Sequence, residues 1–105
     1  MICPTKKIVN LKASLISGST IYPGFTSSIC EDGLFLRTLP LGFEPNLYIG
    51  AVVQVKIEPP GKGTVCLNCR VKWVYKTPPH KLTNSIGVEI LDALPNYNEL
   101  LTELL

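Results

Sequence analysis

The chain has 105 residues, with 10 Lys and Arg against 8 Asp and Glu, a formal charge of +2 and one His. A chain this short buries roughly two thirds of its unfolded surface, enough for one core, which excludes a large enzyme with a deep enclosed cleft. Hydrophobic residues at 46% and charged ones at 17% exclude a disordered composition, and no run approaches the roughly 18 apolar residues of a membrane span.

The periodicity is mostly that of strands. Val9 to Ser17, Thr20 to Cys30 and Gly33 to Thr38 are short segments bounded by Gly, Pro, Asn or Ser. From Ala51 to Glu58, Ala51, Val53, Val55 and Ile57 take one parity and Val52, Gln54, Lys56 and Glu58 the other. Pro59-Pro60-Gly61-Lys62-Gly63 then turns the chain into Val65 to Lys76, where Val65, Leu67, Cys69, Val71, Trp73 and Tyr75 share the apolar parity. This hairpin loop lacks the spacing and following helix of a phosphate-cradling P-loop. Asn84 to Leu91 is a sixth strand. After Pro95 the period changes: Tyr97, Leu100, Leu101, Leu104 and Leu105 fall at helical spacing, with Asn96 placed to cap the first turn. Six closely spaced strands without intervening helices predict an all-β fold, a small six-stranded antiparallel β-barrel of split-barrel type with a short C-terminal α-helix. No linker or repeat interrupts it, so residues 1–105 are expected to form a single domain.

Chemistry-bearing residues are few. Cys66-Leu67-Asn68-Cys69 is a CxxC, but residues three apart on a strand point to opposite faces, so a shared metal or redox bond is not expected. With Cys3 and Cys30 also scattered, and with Lys6, Lys7 and Pro4 where a signal peptide needs an apolar core, the chain reads as cytoplasmic with reduced thiols. His80 lies in a Pro-rich loop with no nucleophile placed beside it, and Glu31-Asp32 belongs to a turn rather than to a pair of cooperating carboxylates. Trp73 is expected in the core, with stacking of a planar ligand as its alternative role. Lys62, Arg70, Lys72, Lys76 and Lys81 precede an acidic tail with Glu89, Asp92, Glu99 and Glu103, a bias that suits a small anion or an acidic protein surface and not a long nucleic acid.

Several pieces taken together resemble the PilZ domain, a bacterial barrel with a C-terminal helix known as a receptor for cyclic di-GMP. They are Lys6-Lys7-Ile8-Val9-Asn10, Ser28-Ile29-Cys30-Glu31-Asp32-Gly33 followed by Leu34-Phe35-Leu36, the long Val-rich hairpin, Ile86-Gly87-Val88-Glu89-Ile90, and the tail from Asn96. The family carries an RxxxR arm before the first strand and a (D/N)xSxxG turn. The resemblance therefore implies a ligand site at Lys6, Lys7, Asn10, Ser28, Cys30 and Gly33, with Lys6 or Lys7 at the first arm position and Asn10, or the neighbouring Leu11, at the second. This chain departs from the pattern: lysine and Asn10 stand in place of the arginines, Ser28 in place of the acidic or amide residue, and Cys30 in place of the serine. A lysine neutralises phosphate but lacks the bidentate guanidinium fork, so weak or absent nucleotide binding is expected. The resemblance implies a non-enzymatic signalling domain with no cofactor, cyclic di-GMP as ligand and a protein partner, acting as monomer or weak homodimer. The alternative is a nucleotide-independent adaptor in pilus assembly or motility. Its contact surfaces would be the terminal leucines, Leu100, Leu101, Leu104 and Leu105, or the loop from Pro40 to Tyr48.

Overall fold

The computed structural model describes residues 7–38, 48–76, 84–93 and 95–104. Seven strands and one helix follow in chain order: β1 (Lys7–Ile8), β2 (Lys12–Ser17), β3 (Thr20–Ile29), β4 (Gly33–Thr38), β5 (Val52–Glu58), β6 (Val65–Lys76), β7 (Asn84–Ala93) and α1 (Pro95–Leu104). The sheet order is β1-β3-β2-β5-β6-β7-β4, and β4 returns to pair with β3, so that β2 to β7 close on themselves as the expected six-stranded barrel. Every pairing is antiparallel.

The interior is filled by the apolar parity of each strand. Ala13 and Leu15, Tyr22, Leu34 and Leu36, Val53, Val55 and Ile57, Val65, Leu67, Cys69 and Val71, and Ile86 and Val88 are all buried. From α1, Tyr97, Leu100 and Leu101 join the same core, so Leu100 and Leu101 are not free for a partner as proposed from the sequence. The helix opens on Pro95, which suits a first helical position because that N–H has no acceptor in any case. Asn96 therefore lies inside the helix and not at its cap.

The predicted first strand, Val9 to Ser17, begins only at Lys12 in the structure; residues 9–11 lie in no strand, the unpredicted two-residue β1 precedes them, and the break has a local cause. The Thr26 hydroxyl accepts from Leu11 N–H at 2.9 Å and donates to the Val9 carbonyl at 2.6 Å, while Thr26 N–H donates to the Leu11 carbonyl at 2.8 Å. One buried threonine takes over the backbone partners that a continuous strand would have used. The short β1 is thereby released from β2 and laid along the far end of β3, Lys7 opposite Ile29 and Ile8 opposite Ser28.

Sequence alternation also fails once in β6. The register shifts between Val71 and Trp73, and the inserted residue reverses the parity beyond it. Val74 packs against the core, and Trp73, expected inside, lies half-buried on the outer face. There its ring rests on Gly87: a Cβ at that position would come within 2.3 Å of the indole. Phe35, between the buried Leu34 and Leu36 of β4, faces the same way, its ring centroid 5.3 Å from that of Trp73.

Opposite charges meet across the fold instead of segregating. Lys62 contacts Glu103 at 2.6 Å and Lys72 contacts Glu89 at 3.9 Å, so the basic and acidic blocks of the sequence pair in space among the described residues. Each pair is about half exposed and contributes little to stability.

Replacing Thr26 by Val keeps its shape but leaves the buried Leu11 N–H without its acceptor. Thr26→Val should lower the unfolding free energy by about 1–3 kcal/mol in urea titration. Thr26→Ser should recover most of the loss.

Candidate functional site

The turn between β3 and β4 is the best-anchored feature of the region that the sequence singles out. Cys30 N–H donates to the Gly33 carbonyl at 3.0 Å, closing the turn around Glu31 and Asp32. Ile90 N–H from β7 donates to the Asp32 carbonyl at 2.8 Å. From α1, the Tyr97 hydroxyl donates to the Cys30 carbonyl at 2.5 Å. Glycine at 33 is buried and pairs with Glu89. The turn is thus held from its own strands, from β7 and from the helix, and the helix has a direct bond to the site.

The structure brings Lys7, Ser28, Cys30 and Gly33 to one end of the barrel. Lys7 reaches it through the β1–β3 ladder and is exposed; Ser28 and Cys30 are each only 4% exposed. Ser28 faces outward with its cross-strand partner Phe35, which places the Phe35–Trp73 pair immediately beside the turn. Asn10 is exposed and lines a groove with Lys12, Phe25 and Arg37. Lys6 and the loop histidine His80 lie outside the described residues, as does the Pro40 to Leu47 part of the loop proposed as a contact surface; Tyr48, at its end, is exposed. The sequence reading missed the outer aromatic pair. Its signal was present in Gly87, since a glycine on the outward parity of a strand marks a place where another group presses on the backbone.

Cysteine chemistry differs from the expectation of reduced thiols throughout. Cys30 is disulfide-bonded, its partner lying outside the described residues. Whether two cysteines can join is set by the approach of their Cβ atoms, a tertiary property that spacing along the chain does not reveal. Cys66 and Cys69 are free, the first exposed and the second buried. This is the arrangement that strand parity requires, and it precludes a shared metal. Among the described residues no group of three His, Cys, Asp or Glu side chains could hold a metal ion, and no helix is long and apolar enough to cross a membrane.

Burial shapes two titrations inside the barrel. The Cys69 thiol is pushed up to about 12 by desolvation. Tyr97 is raised well above the usual phenol range, first by burial and then by the charge Cys69 would carry, with its bond to the Cys30 carbonyl acting the other way.

The PilZ domain model matches residues 8–105. The chain belongs to the PilZ domain family. Its fold is also similar to that of a solved Bacillus subtilis protein, described as the inhibitor of motility MotI/DgrA, with a TM-score of 0.73 and 12% identity. That likeness covers 91% of this chain and 45% of the other, so the PilZ domain spans less than half the length of the motility inhibitor it matches. No curated protein matches the sequence.

Two predictions follow from the buried groups. Gly87→Ala should displace the Trp73 ring, shifting the emission of this single tryptophan to the red and lowering the urea midpoint. Because Cys69 and Tyr97 hold their protons more tightly folded than unfolded, their contribution is fully present below the unfolded values. It should fall as pH rises, through about pH 9 to 12 for the thiol, by at most about 1.4 kcal/mol per pH unit for each group. Urea midpoints measured between pH 8 and 10.5 should decline, with a shallower slope in Cys69→Ala.

Proposed function

We propose that this PilZ domain is a signalling module whose nucleotide site is degraded, binding cyclic di-GMP weakly at Lys6, Lys7, Asn10, Ser28, Cys30 and Gly33 and passing its signal by protein contact. The observation that carries this reading is the contrast within one turn. Its backbone is held by three elements, yet Ser28 and Cys30 are almost fully buried, and none of the motif positions offers a guanidinium. A scaffold kept in place without its side-chain donors supports contact at low affinity, since each lost charged bidentate contact is worth roughly 1.5–3 kcal/mol. The bond from Tyr97 to Cys30 gives the helix a direct tie to the turn, through which occupancy would reach the helix.

The domain would act without catalysis, inside a bacterial cell, where a reducing environment would open the Cys30 disulfide. Likeness to an inhibitor of motility supports an output in motility or surface behaviour. The second reading, a nucleotide-independent adaptor, is favoured by the burial of Ser28 and Cys30.

Titration calorimetry of the reduced chain with cyclic di-GMP at physiological salt decides between these readings. Weak binding, of the order of 10 μM or above, is expected for the wild type. It should tighten at least tenfold in the double variant Lys6→Arg with Asn10→Arg, which restores the arm spacing of the family. Submicromolar wild-type binding would overturn the degraded-site reading. Absence of heat in both proteins would leave the adaptor.

A further inference from the structure

The chain enters β5 through a tight turn that is tied to β6. Ala51 N–H donates to the Tyr48 carbonyl at 3.1 Å, Gly50 N–H to the Val71 carbonyl at 2.8 Å, and Val71 N–H to the Ala51 carbonyl at 2.9 Å. Gly50 has a φ of 93°, the conformation that a turn with glycine in third place requires. Proline or a polar residue serves the second place of such a turn, yet here it is held by Ile49. Tyr48, Ile49 and Val52 are 63%, 68% and 62% exposed. The core explains none of the three, because Ala51 and Val53 take the inward positions of this segment.

From this turn the apolar surface continues across two more strands. Ile16 on β2 stands opposite Gln54, one diagonal step from Val52, and Ile21 on β3 stands opposite Ile16 and is 56% exposed. At ordinary strand spacings the strip is roughly 20 Å long. Its edge is cationic. Arg70 stands opposite Val52 on β6, and the exposed Lys72 follows it. Arg70 has no ion pair among the described residues, and Lys72 reaches Glu89 at 3.9 Å with both side chains open to water. The carboxylates of this face, Glu89 and Asp92, lie one strand farther out, on β7. Ile21 begins β3 and Ile29 ends it, so the strip is about 27 Å along the strand from the motif turn.

We propose that the strip from Tyr48 to Ile21, with Arg70 and Lys72 along its edge, is the docking surface for an acidic amphipathic helix of another protein. The inference rests on the reading that this domain signals by protein contact, and gives that contact a place and a chemistry. A helix rises 1.5 Å per residue, so about 13 residues cover the strip, with apolar anchors three and four apart laid along it. Carboxylates on the flank of that helix take the guanidinium fork of Arg70 and the ammonium of Lys72. A basic partner would instead press like charge against Arg70 as water leaves. A second copy of this chain offers no such helix. Its α1 turns Tyr97, Leu100 and Leu101 into the core, and Asn98, Glu99, Thr102 and Glu103 on the exposed side are polar. An anionic membrane fits less well, because a flat surface would also meet Glu89 and Asp92.

The test is a two-dimensional amide NMR titration of the whole chain with a synthetic helical peptide of about four turns, Leu on one face and Glu on its flanks. The controls are the same peptide with Lys for each Glu, a scrambled peptide of equal composition, and phosphatidylglycerol vesicles. Perturbation is expected at residues 16–21, 48–54 and 68–72, with the acidic helix at least tenfold tighter than either control peptide and weakened by salt. Ile49→Ser and Val52→Ser, both at exposed positions, should each weaken it at least fivefold with the rest of the spectrum unchanged. Arg70→Glu should reverse the preference toward the Lys peptide. No binding of the acidic helix, equal binding of a control peptide, tighter binding to vesicles, perturbation centred elsewhere, or an Arg70→Glu variant that behaves as the wild type would overturn this surface. A photo-crosslinking phenylalanine analogue in living bacteria, placed at position 49 or at position 102, separates that failure from failure of the broader reading. Crosslinks to another protein from position 49 alone, lost with Arg70→Glu, are expected. Crosslinks from position 102 alone, or to a second copy of the chain, would overturn the surface and leave protein contact standing, and crosslinks from neither would overturn both.

Discussion

The barrel depends on β3 being paired on both of its edges. Its first half runs against β2 and its second half against β4, and at its far end β1 takes the edge that β2 has left. On one edge the pairing passes from β2 to β1 where Thr26 holds the chain at Val9 and Leu11, while the other edge pairs with β4 through a bulge between Thr26 and Ser28. Without the β3–β4 pairing the sheet would stay open, with β4 and β3 as unprotected edges. Closure also gives every strand the same inside and outside, so the apolar parities converge on one core.

The motif turn and the groove beside it are both products of this closure. The turn at residues 28–33 leaves the end of β3, where β1, β7 and the Tyr97 hydroxyl meet it. The groove lies just before the bulge, where β2, β3 and β4 are still side by side. A long strand that changes partners brings residues from three separate segments beside one another twice, about 10 Å apart along its length. The helix adds to the first of these places and not to the second, because its buried face of Tyr97, Leu100 and Leu101 closes the barrel from the turn's side.

How far the sequence could be read depends on whether a feature is local. Strand alternation identified nearly every core position, the β5–β6 hairpin, and the opposed faces of Cys66 and Cys69, because period-two patterning is imposed residue by residue. It placed Trp73 wrongly, since a bulge beyond Val71 reverses the parity and leaves no mark in composition. It started β2 at Val9 and missed β1, since the hydroxyl that holds the chain at Val9 and Leu11 comes from Thr26, fifteen residues beyond Leu11. The motif turn was legible from its glycine and its resemblance to the family. The burial of Ser28 and Cys30 and the oxidation of Cys30 were not, because covering and bonding come from other segments.

By itself, then, the chain determined that it would be an all-β barrel with a helical tail, and that its motif arm would lack guanidinium groups. Those properties reside in residue types and their period. Tertiary structure alone decided that Lys12, Phe25 and Arg37 stand in one row, that Tyr97 bonds to Cys30, and that the basic and acidic stretches pair. The reason is register. Which residues face each other across a ladder is set by long-range pairing and by single-residue bulges, and a slip of one position would have sent each of these side chains to the opposite face.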